Sequence, residues 1–227
     1  MSNSSPAPQT WSPDKAPGTD NKRHAPATAR NREALLEVLL RVLPEGDILE
    51  IACGSGEHAV FLAPRLPGRR WVPTDAHKAA LDSTRAWISE LPPEDAASLA
   101  PPQALDATAP DSWPLPRADA ILCVNMIHIA PWAACEGLMT GAGRTLPHGG
   151  LLALYGPFLR ADHPTAPSNL AFDETLRSQN PAWGIRSLDA VAAEAARHDL
   201  ILEETIEMPS NNLTVTFRKS ESETGSP

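Results

Sequence analysis

The chain has 227 residues, enough for one α/β domain with a full core. Its formal net charge of −9 and pI near 5.2 argue against a protein that lives on nucleic-acid phosphates, so no nucleic-acid partner is expected. Cys53, Cys123 and Cys135 form neither a zinc pattern nor a disulfide framework, no apolar run approaches membrane-spanning length, and the N-terminus lacks a signal-like apolar region. These features predict a reduced, cytoplasmic protein without a membrane partner.

Residues 1–22 are rich in Ser, Pro, Thr and Asn and read as a disordered tail, as do residues 219–227. The folded domain is expected over 23–218. It opens with a basic lead-in, Arg23 to Arg32, in which Arg30, Asn31 and Arg32 are placed to reach a carboxylate. An amphipathic helix follows, with Leu35, Leu36, Leu39, Leu40 and Leu43 on its apolar stripe and Pro44-Glu45-Gly46 at its end.

Asp47 to His58 reads DILEIACGSGEH. Ile48, Leu49 and Ile51 suit a strand packed on both faces. Gly54 and Gly56 allow a sharp turn into a helix and a close ligand approach. A bare Gly-x-Gly is weak evidence. Three additions strengthen it: Glu50 is an odd carboxylate for a buried strand, Ala52 and Cys53 are small, and Asp75 follows about twenty residues later, where a ribose diol is gripped.

A helix is expected over 58–66, a second strand over 70–75, a helix over 76–90 and a short third strand over 103–106. Ala118 to Val124 is near-continuously apolar and reads as the central fourth strand. Asn125 and His128 follow it, at the switch point where doubly wound sheets place their chemistry. A helix over 132–146 leads to a fifth strand, 151–158, which carries the only tyrosine, Tyr155, at its carboxyl edge. Residues 159–186 form a long polar insert with a short helical piece around Phe172–Leu176, read as a substrate lid. A helix capped by Ser187 and a strand pair, 200–208 and 212–218, complete the domain.

The glycine turn and its trailing acid resemble the first two motifs of class I S-adenosylmethionine-dependent methyltransferases. ARNREALLEVL, LEIACGSGEHAV, NMIHIAPW, LYGPF, TAPSN, PAWGIR and MPSNNLTVTF together resemble a methyltransferase-like family known as a domain of unknown function. The resemblance implies a Rossmann-like seven-stranded sheet with its last strand antiparallel, and S-adenosyl-L-methionine as cofactor. It implies cofactor contacts from Arg32, Glu50, Ala52, Gly54, Ser55, Gly56, Asp75 and Asn125. Asp106 would meet the adenine amino group between Leu105 and Ala107; read alone, an Asp before Ala-Thr also suits a turn or cap. The substrate side falls to Trp132, to Asn169 in the lid and to the Asn211-Asn212 corner.

Methyl transfer needs alignment and removal of any proton on the nucleophile. His128, with an unperturbed pKa of about 6.5, is the candidate base or substrate orienter, or else a histidine satisfied at a helix start. Tyr155 is a second catalytic candidate. No metal site is expected, because the histidines lack ligand spacing. The expected activity is methyl transfer to a small molecule, with a protein or RNA acceptor as a variant. The alternatives are a non-catalytic S-adenosylmethionine-binding partner or sensor, and a nicotinamide-dependent oxidoreductase using the same glycine turn. The sequence leaves the oligomeric state open.

Overall fold

Near-continuous apolar runs become central strands here because both of their faces meet helices. In the computed structural model, which describes residues 21–221, β1 (Gly46–Ile51), β2 (Arg69–Asp75), β3 (Gln103–Ala104), β4 (Ala120–Val124) and β5 (Leu151–Gly156) run parallel. β8 (Leu200–Met208) and β9 (Asn212–Lys219) form the expected strand pair, and β9 inserts antiparallel between β5 and β8. The seven-stranded order is β3-β2-β1-β4-β5-β9-β8. A parallel pair, β6 (Phe158–Leu159) and β7 (Arg186–Ser187), lies outside this sheet. The tail readings fall almost wholly outside the described residues.

Side chains alternate across the sheet. Ile48, Trp71, Leu122 and Ala153 pack with α1 (Pro26–Val42) and α2 (Glu57–Leu62) on one face. Leu49, Ile121, Leu152, Val215 and Phe217 pack on the other with α5 (Trp132–Thr145) and α7 (Leu188–Ala196). Ser187 caps α7 as expected, its side chain accepting from the Ala190 N–H. α3 (Lys78–Ile88) follows β2, and α4 (Pro93–Ala96) is a single turn.

Two segments depart from expectation. α1 starts at Pro26, so most of the basic lead-in is helical; Pro at the first helical position loses no hydrogen bond and has its φ preset. In the insert, the short helical piece is α6 (Pro167–Gln179), 13 residues long and again opened by a proline. Because α6 and β7 are both regular, the insert is a folded cover.

Candidate active site

The carboxyl ends of β1, β4 and β5 open into a cavity of about 1330 Å³. Single small-ligand sites usually run about 300–1000 Å³, so this one has room for two small molecules side by side. Ala52, Cys53, Gly54 and Ser55 form one wall. Ala52 (φ 58°) and Asn125 (φ 62°) hold the left-handed conformation at the ends of β1 and β4, and Ser210 (φ 61°) holds it at the β8–β9 corner. All three line the cavity. Non-glycine residues adopt this conformation at a cost, and such strain gathers at ligand sites.

Asp75 ties the glycine loop to β2. Its Oδ2 accepts the Gly54 N–H at 3.0 Å and its Oδ1 accepts the His77 N–H at 2.9 Å. Burial pushes its pKa up, and these backbone donors hold it down. Glu50 is buried in the floor, where Oε2 accepts the Trp71 indole N–H at 2.8 Å. Burial raises its pKa from 4.5 to about 7, against the Trp71 hydrogen bond and with some repulsion from Asp75. Asp106 closes a turn through Oδ1, which accepts from the Thr108 N–H and hydroxyl; it lines the cavity with Leu105 and Ala107.

The start of α1 forms a second wall because Glu57 of α2 holds it there. Its Oε2 accepts the Ala25 N–H at 2.6 Å and the Ser55 hydroxyl at 2.9 Å. Asn31 and His58 meet below, with Nε2 2.8 Å from Oδ1. His58 is buried and its pKa falls to about 4, through burial and the Arg32 charge. The insert closes the far side. The Asn169 amide donates to the Asn211 carbonyl at 3.0 Å, and the Asn211 amide donates to the Ser168 hydroxyl at 3.1 Å.

Twelve of the expected site residues line this cavity: Glu50, Ala52, Gly54, Ser55, Asp75, Leu105, Asp106, Ala107, Asn125, Tyr155, Asn169 and Asn212. Arg32, Gly56, His128 and Trp132 do not. The Arg32 guanidinium stacks on the Phe61 ring, 4.4 Å from its centroid, because it leaves α1 on the side facing α2. Trp132 packs against the core with Arg186 over its ring.

Gly56 is turned toward α3. At φ 85°, a Cβ there would lie 2.6–2.7 Å from the Thr84 hydroxyl oxygen and Cα. Gly56→Ala is therefore expected to cost about 2–4 kcal/mol, from backbone strain plus overpacking, measured by urea unfolding; an unchanged midpoint would remove this packing role.

His128 sits behind the wall, 1% exposed. Its carbonyl accepts the Gly184 N–H at 2.9 Å, its Nδ1 accepts the Arg186 N–H at 3.4 Å, and its ring meets Phe158 edge-on. Burial and the Arg186 charge lower its pKa to about 3, so the ring stays neutral. Arg186 adds hydrogen bonds to the Ile127 and Ala130 carbonyls. His128 thus anchors the insert to the turn after β4.

Sequence reasoning weighs His58 only as a metal ligand and omits Thr28, Ser168 and Phe172, which also line the cavity. The signal for His58 was its place one turn beyond the glycine loop. Among the described residues, no group of three His, Cys, Asp or Glu side chains can hold a metal.

The strand order, the antiparallel β9 and a cavity at the strands' carboxyl ends define the class I methyltransferase fold. Within that fold class, the chain belongs to the family described as a protein of unknown function, DUF938, which matches residues 22–219. It is similar in structure to an O-methyltransferase family 2 protein from Planctomyces limnophilus solved in complex with apigenin, with TM-score 0.67, 22% identity, and 83% of this chain and 61% of that one covered. An O-methyltransferase family protein from Burkholderia thailandensis gives TM-score 0.73 at 13% identity, covering 87% and 58%. CalO1, a methyltransferase in calicheamicin biosynthesis solved with SAH bound, gives 0.69 at 15%, covering 86% and 54%. The chain spans little more than half the length of these proteins.

Proposed function

We propose that this protein transfers a methyl group from S-adenosyl-L-methionine to a small-molecule acceptor. The observation that carries this reading is one cavity with two unlike halves. The half built on β1–β3 holds the glycine loop and every cavity carboxylate, and the other is closed by Tyr155, the β8–β9 corner and the insert.

The residues present fit the cofactor. Asp75 keeps lone pairs for a ribose diol while both its oxygens are fixed by backbone N–H groups. Leu105 and Ala107 supply apolar flanks for a base, and the Asp106 Oδ2 is left outside its turn. Gly54 and Ser55 let the main chain meet the rest of the molecule. When bound, the cofactor supplies an already activated methyl group.

The chain's part is to hold the acceptor in line and keep water out. Phe172 and Trp183 of the 159–186 insert line the cavity, which supports reading that insert as the lid. No base is assigned to His128, whose ring is neutral and buried outside the cavity lining. Alignment is the main contribution of this chain to the rate. The apigenin and calicheamicin-pathway proteins that share the fold support a small-molecule acceptor. Among the described residues no helix is long and apolar enough to cross a membrane.

Titration calorimetry with S-adenosylhomocysteine tests the reading. One-to-one binding is expected, with about 2.7 kcal/mol of stabilisation at a hundredfold excess over Kd. Stabilisation by a nicotinamide dinucleotide instead would overturn it. Transfer of labelled methyl to a metabolite extract separates an enzyme from a binding protein.

A further inference from the structure

The start of α1 is not secured by its own sequence. Ala25 at the N-cap supplies no side-chain hydrogen bond, and the first turn carries no acid to meet the helix dipole. Its support comes from α2 and α3 instead. Oε2 of Glu57, in α2, accepts both the Ala25 N–H at 2.6 Å and the Ser55 hydroxyl at 2.9 Å. The Ser83 hydroxyl of α3 accepts the Arg23 N–H at 2.9 Å and donates to the Ser55 carbonyl at 2.7 Å. Glu57 and Ser83 thus each bridge the segment before α1 to the same residue of the glycine loop.

α3 grips that segment again further out. The Trp87 indole N–H donates to the Arg23 carbonyl at 3.1 Å, the His24 ring meets the Trp87 ring edge-on at 5.2 Å, and the Lys22 ammonium lies 4.6 Å from the Trp87 centroid. Beyond Asn31, α1 is anchored by Leu35 and Leu39, both fully buried. Residues 22–31 are therefore a strap, hydrogen-bonded down at one end and rooted in the core at the other. Pro26, Thr28, Arg30 and Asn31 of the strap line the same cavity as Gly54 and Ser55. Glu57, Ser83 and Trp87 do not line it, so they act on a bound molecule only through the strap or the glycine loop.

We propose that Glu57 and Ser83 are positioning residues that clasp this strap over the glycine loop, and that opening of the clasp sets how fast the molecule held on that loop is exchanged. This rests on the proposed function above, which makes that molecule S-adenosyl-L-methionine or its product.

The test follows dissociation of labelled S-adenosylhomocysteine from the full chain, chased with excess unlabelled compound. Glu57→Ala is expected to raise the off-rate about tenfold or more, the scale of a hydrogen bond to a charged group. Glu57→Gln keeps an acceptor for the Ala25 N–H and the Ser55 hydroxyl, and should return the off-rate to within about threefold of wild type. Ser83→Ala removes the second bridge without removing a charge and should act in the same direction as Glu57→Ala. Trp87→Phe separates strap from loop, because the indole bond and the ring contacts go to residues 22–24. Its off-rate should rise about threefold or more, the scale of one neutral hydrogen bond. Tryptic cleavage after Arg23 and Arg30 of the wild type should slow when S-adenosylhomocysteine is bound. A fast off-rate in Glu57→Ala with none in folded Trp87→Phe overturns the proposal, because Glu57 would then support the glycine loop alone. Unchanged off-rates in all the folded variants, or cleavage unaffected by the ligand, overturn it as well. Failure of wild-type protein to bind S-adenosylhomocysteine overturns the proposed function and the exchange role with it.

Discussion

Replacing Asp75 with alanine is expected to weaken S-adenosylhomocysteine binding by roughly 10–150-fold, the equivalent of one charged hydrogen bond at about 1.5–3 kcal/mol. The carboxylate works on both sides of the glycine loop. It fixes the Gly54 and His77 N–H groups and, in the proposed function, faces the ribose. Alanine leaves both N–H groups without that acceptor, at a cost of about 1–3 kcal/mol for each that stays buried, so stability should fall as well. Asp75→Asn separates the two contributions: its one carbonyl oxygen restores part of the loop support, while the lost charge still weakens grip on a diol. Calorimetry reads the affinity and urea unfolding the stability. Unchanged affinity in the alanine variant, with the protein folded, removes Asp75 from the cofactor site.

The second large effect is on stability against pH. Glu50 holds its proton to about pH 7 when folded and to about 4.5 when unfolded. Between those values the native state binds the extra proton, so raising the pH costs about 1.36 kcal/mol per unit, or about 3 kcal/mol across the window. Asp75, also raised, acts in the same direction. His58 and His128 act in the opposite direction. Their folded pKa values of about 4 and 3 lie below the ordinary 6.5, so stability rises with pH up to 6.5 as the unfolded chain gives up its imidazole protons. From pH 4.5 to 6.5 the two imidazoles outweigh Glu50; from 6.5 to 7 the imidazole gain has ended and the carboxyl loss remains. Wild-type stability should therefore peak near pH 6.5. Glu50→Gln keeps an oxygen for the Trp71 N–H, and should rise more steeply and then stay flat above 6.5. Urea unfolding at a series of pH values checks this; parallel wild-type and variant curves from 4.5 to 7 would rule out the buried protonated carboxyl.

The glycine turn, the acids at the ends of β2 and β3, and the antiparallel strand pair were legible from local pattern. Each is a short-range signal: small residues where backbone must turn, an acid fixed by its distance from the turn, and apolar runs bounded by turn residues. Together with the family resemblance, which implied Leu105, Ala107, Asn169 and Asn212, they account for the twelve expected residues on the cavity wall. The four that do not share one cause. Arg32, Gly56, His128 and Trp132 lie in the right segments, but a side chain's direction is set by the elements that pack on it. α2 draws Arg32 onto Phe61, and Thr84 occupies the space beside Gly56. The folded insert seals His128 against Arg186, whose guanidinium lies over Trp132.

The sequence by itself determined the doubly wound class of fold, the glycine-loop wall of the cavity and the order of the elements, because these depend on periodicity and on backbone conformations that few residues adopt. Only the tertiary structure decided the remaining walls of the cavity. His58, Asn31, Tyr155 and Asn212 line them from α2, α1, β5 and β9, and no spacing along the chain joins these residues. The raised pKa of Glu50 and the lowered pKa values of His58 and His128 arise from burial and from neighbours distant in sequence. Those neighbours exist only once the sheet has closed and the insert has folded over it.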